Sequence, residues 1–210
     1  MELLSAEEIR IIGSLIEKEY STPEYYPMTI NSLKNACNQK SSRNPVVNYD
    51  ENIVEVTVLK LQDKKLVSKV TGPELRVPKY KQIFSHFYNL TVQQSAVMCV
   101  LFLRGPQTIG EIRSRSHRIY DFKDLEETSN TIDQLIERDN DPFIIKLPKD
   151  SGREYRYTHL FEGEPVINTQ QSEESNAENC IAELENKVIS LEEMLVNLKE
   201  EFDQFKQAFE

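Results

Sequence analysis

The sequence carries one order of predicted elements twice, and this internal repeat constrains the fold more than any other feature. Leu4 and Leu90, 86 residues apart, each open an apolar helical pattern. Each pattern continues into a second short helix, a third helix and two β-like segments around a glycine, Gly72 in the first repeat and Gly152 in the second. Self-similarity of this kind indicates a repeated structural unit. Three helices followed by a hairpin predict a winged-helix module, here in tandem.

The predicted fold class is therefore mainly α with small β-hairpins (α+β), with tandem winged-helix modules followed by a C-terminal coiled-coil helix. We expect the first module at residues 1–87, the second at 88–162, an acidic polar linker at 163–179 and the coiled-coil helix at 180–210. Modules of about 80 residues can bury a modest core, although each would be marginal alone.

Capping residues predict where the helices begin. Ser5, with Glu8 three residues later, forms a capping box before the first apolar stripe. Thr29 and Thr108 are the predicted N-caps of the second helix in each repeat. The third helices are expected over residues 50–65 and 124–138, and the hairpin strands over 67–70 with 76–80 and over 143–147 with 154–161.

The last 30 or so residues carry apolar side chains at alternating spacings of three and four, which is the heptad pattern of a coiled coil. The predicted dimerisation residues are Ile181, Leu184, Val188, Leu191, Leu195, Leu198, Phe202 and Phe205. Isoleucine and valine at a positions with leucine at d positions favour a parallel coiled coil of two helices, so we expect a homodimer. The alternative is that this helix folds back onto the modules, since Ile189 and Val196 lie beside the apolar track.

The formal net charge of -10 comes from the C-terminal tail. Residues 1–87 hold 12 Lys and Arg against 11 Asp and Glu, and residues 88–161 hold 10 against 11, whereas residues 162–210 hold 3 against 13. Both modules are thus close to neutral. They lack the strong basic bias of a dedicated DNA-binding protein, but a nucleic-acid partner stays compatible with the acidic tail.

The sequence holds none of the common catalytic motifs, neither a phosphate-cradling glycine run nor a nucleophile elbow. Its cysteines are far apart, with no Cys-x-x-Cys pair, which indicates reduced thiols in a cytosolic protein and neither disulfides nor zinc. Cys37 and His159 are expected to be packed side chains. No stretch reaches the roughly 18 apolar residues of a membrane span. We therefore expect a cytoplasmic, non-enzymatic protein without a cofactor, metal site or membrane contact.

Basic residues fall between the second and third helices of both repeats. They are Lys40 and Arg43 on a long polar connector (residues 38–48) in the first repeat, and Arg113, Arg115 and Arg118 in the second. Such groups can contact nucleic-acid phosphates and set the register of binding. An ordinary solvated surface, or salt bridges to nearby carboxylates, explains them equally well. Further wing contacts are predicted for Lys69, Arg76, Lys79, Lys149 and Arg153.

The third helix of a winged-helix module commonly enters the major groove. The predicted core stripes are Val54, Val58 and Leu61 in the first repeat, and Thr128, Ile132 and Leu135 in the second. These stripes leave Val56 and Leu59 on the outer face of the third helix of the first repeat, where they suit a protein contact better than a contact with base edges. The third helix of the second repeat presents Glu126, Asp133 and Glu137, which phosphates would repel. Neither helix has the surface of a groove reader.

Several strings resemble one family in particular. They are IEK at 16–18, TPEYYP at 22–27, ACNQKSSRNPV at 36–46, LRGPQT at 103–108, GEIRSR at 110–115 and RYTHLF at 156–161. Together these strings resemble the YceH family, bacterial proteins of uncharacterised function, over about residues 4–163. The resemblance implies a tandem winged-helix protein with a helical C-terminal extension, and it implies no catalytic residues and no established ligand.

Two hypotheses about function follow. The first is a dimeric nucleic-acid-binding regulator that contacts phosphates through the basic residues between the second and third helices. The second is a protein–protein interaction scaffold that uses Val56 and Leu59 as an apolar patch. DNA is narrowly favoured over a protein partner, because the basic groups occur at equivalent places in both repeats.

Overall fold

A computed structural model describes residues 2–73, 75–138, 141–149 and 154–165, and the element order of its first part appears again in its second. The first repeat comprises α1 (Ala6–Ser21), a 3-10 turn (Pro23–Tyr25), α2 (Ile30–Cys37), α3 (Glu51–Asp63), β1 (Val67–Val70) and β2 (Lys79–Gln82). A short helix, α4 (Phe84–Phe87), precedes the second repeat, which comprises α5 (Val92–Arg104), α6 (Ile109–Ser116), α7 (Leu125–Ile136), β3 (Ile144–Lys146) and β4 (Tyr157–His159). The α+β class is confirmed. The predicted coiled-coil helix with all eight dimerisation residues, residues 166–179 of the predicted linker, Gly152 and Arg153 lie outside the described residues.

The helices begin where the capping residues predicted. The backbone N–H of Glu8 donates to Ser5 Oγ at 3.3 Å, and the Ser5 N–H donates to the Glu8 carboxylate at 2.8 Å. Thr91 and Thr108 close capping boxes of the same form at α5 and α6. The N-caps of α2, α3 and α7 are Thr29, Asp50 and Asp124. Each cap satisfies a backbone donor that the helix leaves free, a contribution of about 1 kcal/mol.

Both strand pairs are antiparallel, and the second strand of each begins three residues later than predicted. β1 and β2 pair Val67 with Gln82, and β3 and β4 pair Ile144 with His159. In the first repeat Pro78, which has no N–H, precedes β2 and cannot extend the ladder. Each second strand also bridges to the segment before the second helix, through Met28 to Tyr80 and Gln107 to Tyr157. This shared detail supports the equivalence of the repeats.

The apolar stripes of α3 and α7 are buried as predicted, and α1 packs directly against α5. α5 is buried from Gln94 to Leu103. Gly13 allows the close approach, since a Cβ placed there would lie 3.0 Å from the Cβ of Phe102. Backbone hydrogen bonds also cross between the repeats, from Leu4 N–H to the Phe161 carbonyl at 2.7 Å and from Asn44 N–H to the Leu103 carbonyl at 2.8 Å. The described parts of the two repeats therefore form one compact unit.

An aromatic cluster adds to this shared core. Phe84 of α4 lies with its ring centroid 5.3 Å from that of Phe102 and 5.1 Å from that of Phe161, both in tilted or edge-on geometry. His159 stacks edge-on against Phe102 at 5.0 Å and is only 7% exposed, so its prediction as a packed residue is confirmed. Cys37 is fully buried, as predicted, and burial raises the pKa of its thiol to about 11.

Candidate anion-binding cleft at the junction of the repeats

Arg43, one of the predicted phosphate contacts, is buried inside the first repeat and only 6% exposed. Its Nη2 and Nη1 donate to the two carboxylate oxygens of Glu17 at 2.7 and 3.2 Å. Nε and Nη2 also donate to the carbonyl of Ala36 at 3.2 and 2.9 Å. A buried guanidinium is stable only with such complete pairing. Arg43 therefore anchors the connector to α1 and α2, and this geometry does not support a phosphate contact.

The other predicted basic residues lie at or near the surface. Lys40 is exposed on the connector. Arg113 is exposed and donates to the carbonyls of Phe122 and Lys123 at 3.2 and 2.9 Å, bonds that leave its positive charge uncompensated. Arg115 is partly exposed, and its ion pair with Glu111 spans 3.2 Å. Glu111 is shared, because Arg156 Nη1 lies 2.9 Å from its other oxygen.

Arg115 and Arg118 face the connector of the first repeat across a cleft of about 260 Å³, which we call the junction cleft. Its basic wall consists of Arg104 at the end of α5 and of Arg115 and Arg118 at and beyond the end of α6, and His117 lies beside them. Ser42 on the connector and Ser114 on α6 add hydroxyl groups, and Glu17 of α1 also lines the cleft. The structure thus brings together residues from both repeats that are distant in sequence.

The positive charge of the junction cleft is only partly compensated. Burial lowers the pKa of Arg104, and the positive charges of Arg115 and Arg43 lower it further, while the negative charge of Glu17 opposes them. Neither Arg104 nor Arg118 has a hydrogen-bond or ion-pair partner for its guanidinium among the described residues. An arrangement that holds like charges together favours the binding of an anion.

Glu17, the carboxylate that lines the cleft, is already paired with cations of the protein. Burial disfavours its ionised form, but the hydrogen bonds and charge of Arg43, together with the charge of Lys18, outweigh burial and hold its pKa below the usual value. The Lys18 ammonium lies 3.4 Å from Glu17 Oε2. Glu17 is therefore ionised and paired with two cations, and its charge offsets part of the charge of Arg104.

The floor of the cleft is apolar and offers no activated nucleophile. Val100 and Leu103 are 4% and 3% exposed, and the thiol of Cys99 donates to the carbonyl of Gly13 at 3.4 Å. Burial raises the pKa of Cys99 far above its ordinary value, so the thiol is neutral. The arrangement suits binding of an anionic group. Among the described residues, no cluster of His, Cys, Asp and Glu is placed to hold a metal ion.

The remaining predicted surfaces are exposed to different degrees. On α3, Val56 and Leu59 are 44% and 52% exposed, and Ile53 beside them is 38% exposed. On α7 the predicted acidic side chains are exposed. Lys69, Arg76 and Lys149 are exposed and Lys79 is partly buried. The Lys149 ammonium lies 4.7 Å from the centroid of the Tyr155 ring, a cation–π contact that leaves the lysine at the surface.

Sequence reasoning missed Arg104 and Ser42. Arg104 directly precedes Gly105 and Pro106, residues that are typical of a helix end. Nothing in its spacing links it to Arg118, because the two side chains converge only through the packing of α5 against α6 and α1. A basic residue at a helix C-terminus is also expected for electrostatic reasons alone, which masks any further role.

Comparison with known proteins places the chain in a family. The family described as "Protein of unknown function, DUF480" matches residues 4–153. The chain belongs to the DUF480 family. This match spans every residue of the junction cleft named above.

The chain is also similar to curated bacterial relatives named UPF0502 proteins. The relative from Solibacter usitatus is 50% identical over 162 residues, which cover 77% of each chain. The one from Opitutus terrae is 44% identical over 172 residues, or 81% of this chain and 75% of the relative. The one from Photobacterium profundum is 46% identical over 165 residues, or 76% and 74%. The DUF480 match therefore covers the first repeat and the second repeat up to residue 153, and it assigns no activity. None of the described helices is long and apolar enough to cross a membrane.

Proposed function

We propose that this DUF480 protein is a nucleic-acid-binding regulator that contacts phosphates through the junction cleft. The observation that carries the proposal is the basic wall, in which the guanidinium groups of Arg104 and Arg118 have no hydrogen-bond or ion-pair partner among the described residues. Guanidinium groups suit phosphate oxygens because their donors form a planar fork. Exposed Lys40 and Arg113 extend the positive surface beyond the cleft.

The repeated order of three helices and a strand pair supports a tandem winged-helix protein, and the resemblance to the YceH family agrees with it. The heptad pattern of residues 180–210 supports a parallel homodimer, which would double the phosphate contacts. We further propose that the protein acts in the cytoplasm, without catalysis.

Binding of this kind would depend on phosphates more than on base edges. The outer face of α7 is acidic, and that of α3 is apolar, so neither helix has the surface that usually enters the major groove. Phosphate contacts fix register without conveying sequence directly. We therefore expect modest sequence preference and a steep dependence of affinity on salt.

The test is binding of the full chain to a labelled random-sequence DNA duplex, measured by fluorescence anisotropy across a salt series. Each phosphate contact contributes a slope of about −0.9 to the plot of log affinity against log salt. The double variant Arg104→Glu/Arg118→Glu should lose binding. The matched control is Lys60→Glu/Lys81→Glu, which makes the same charge change at exposed residues outside the cleft. An equal loss of DNA affinity in both variants would show that net charge alone causes the effect. Absence of binding at low salt would refute the proposal.

The exposed strip on α3 favours a second candidate function, that of a protein–protein interaction scaffold. Ile53, Val56 and Leu59 leave three apolar side chains side by side in solvent. Leu59→Glu should then abolish capture of a bacterial partner in a pull-down while leaving the thermal unfolding of the protein unchanged. Lys60→Glu, on the same helix, is the control that should retain the partner. Identical capture by Leu59→Glu and the unaltered protein would reject this candidate.

A further inference from the structure

We infer that the junction cleft recognises a terminal phosphate group, whether on the end of a nucleic-acid strand or on a free nucleotide. This inference deepens the proposed function and rests on it only for the nucleic-acid source. It specifies which phosphate enters the cleft, and it distinguishes a strand end from the internal phosphodiesters of a duplex.

The size of the cleft supports a small group at its base. Its volume is about 260 Å³, below the range of about 300–1,000 Å³ that is usual for sites of drug-sized ligands. The floor is formed by the nearly buried side chains of Cys99, Val100 and Leu103. A phosphate that continues into the backbone on both sides would have to carry two strand segments into this recess. A terminal phosphate brings only one.

The charge of the cleft also fits a terminal phosphate. A phosphomonoester carries a charge of about −1.5 to −2 at pH 7 and three strong acceptor oxygens. A phosphodiester carries a single negative charge. The guanidinium groups of Arg104 and Arg118 have no hydrogen-bond or ion-pair partner among the described residues. The Ser42 and Ser114 hydroxyls line the same space, as does the Glu17 carboxylate, which Arg43 and Lys18 already pair. Several donors around one recess match several oxygens on one phosphorus atom.

Two details argue that this donor set is held ready for a ligand. Arg104 loses solvation through burial while it lies near Arg115, so an anion between them would relieve the repulsion. The connector that carries Ser42 is anchored by the pairing of Arg43 with Glu17 at 2.7 Å. Ser42 is therefore held at the cleft by its neighbour, which reduces the ordering required on binding.

The experiment compares DNA ends and free nucleotides on the full chain. Identical duplexes with a 5′-phosphate, a 3′-phosphate or only hydroxyl ends are titrated by fluorescence anisotropy, and deoxyadenosine monophosphate is compared with deoxyadenosine by calorimetry. We expect a phosphorylated end or the monophosphate to bind about tenfold or more tightly than its hydroxyl counterpart, as charged hydrogen bonds allow. Arg118→Gln, at an exposed position, should remove that preference, and Arg104→Gln should do the same. Lys81→Gln is the control that should keep it.

The outcomes separate this inference from the proposed function. Salt-dependent binding of all duplexes alike, with no response to the monophosphate, would overturn the inference and leave the proposed function intact. Binding of the monophosphate without any DNA binding would support the inference and refute the proposed function. A preference that survives both Arg118→Gln and Arg104→Gln would place the phosphate elsewhere and overturn the inference.

Discussion

Replacing Gly13 with alanine would probe the contact between α1 and α5, which joins the two repeats. A Cβ at this position would lie 2.9 Å from Leu103 Cδ2, 3.0 Å from Leu103 Cγ and 3.0 Å from Phe102 Cβ. The Cδ2 methyl group can rotate away. The Phe102 Cβ cannot, because it is fixed to the backbone of α5. The two helices must therefore move apart to admit the methyl group.

Two effects of opposite sign set the magnitude. Alanine is favoured over glycine in a helix interior by about 0.8–1.0 kcal/mol. Overpacking a close-packed interior costs about 1–3 kcal/mol. We therefore expect Gly13→Ala to lower the free energy of unfolding by about 1 kcal/mol, as the difference between the two effects. Gly110→Ala isolates helix propensity, since a Cβ there would meet only Thr108 Oγ1, at 4.0 Å. The free energy of unfolding of that control variant should rise by a few tenths to about 1 kcal/mol.

The assay is urea unfolding of both variants and the unaltered protein, followed by circular dichroism, with the free energy obtained by linear extrapolation. The informative quantity is the difference between Gly13→Ala and Gly110→Ala, expected at about 2 kcal/mol. Equal stabilisation of the two variants would show that α1 and α5 have room for a methyl group. α1 and α5 would then lie farther apart than the contact at Gly13 requires.

Three further predictions concern buried polar groups. Arg43→Met should lower the free energy of unfolding by about 3–5 kcal/mol, because it leaves the Glu17 carboxylate buried without its main partner, and Glu17→Leu/Arg43→Met should recover much of that loss in urea unfolding. Burial lowers the pKa of His159 to about 4. The contribution of the neutral His159 ring to the free energy of unfolding is therefore complete above the unfolded pKa near 6.5, and it is lost as the pH falls towards 4. Unfolding measured at pH 7.5 and pH 5 should show about 2 kcal/mol more loss in the unaltered protein than in His159→Leu, and equal losses would contradict the assignment. Raised thiol pKa values at Cys37 and Cys99 predict that both react with a thiol reagent at pH 8 only after denaturation, and rapid native labelling of either would contradict their burial.

The locally determined features of the fold could be predicted from the sequence. Ser5 with Glu8 marked the start of α1, and Asp50 marked that of α3, because a cap depends on residues within one turn. The stripe of Val54, Val58 and Leu61 followed from the helical period. Strand starts were less accurate, since they depend on pairing across a hairpin and on where Pro78 interrupts it.

The candidate site depended on contacts between distant residues. Arg43 lies in a polar connector, where sequence reasoning expects an exposed cation, but Glu17, 26 residues earlier, draws it into the interior. Ser42 and Arg104 meet at one cleft because the connector hydrogen-bonds to the end of α5, through Asn44 N–H and the Leu103 carbonyl. No periodicity or spacing encodes such a meeting.

The division follows from the range of the forces involved. The repeat, the helix starts and the buried stripes are set by interactions between residues a few positions apart, so the linear order of side chains is enough to predict them. Tertiary packing alone decided that the two repeats share a core at Gly13, that Arg43 is structural, and that Arg104 and Arg118 line one cleft. Those outcomes depend on which helix surfaces fit closely enough to exclude water and on which buried charges find partners.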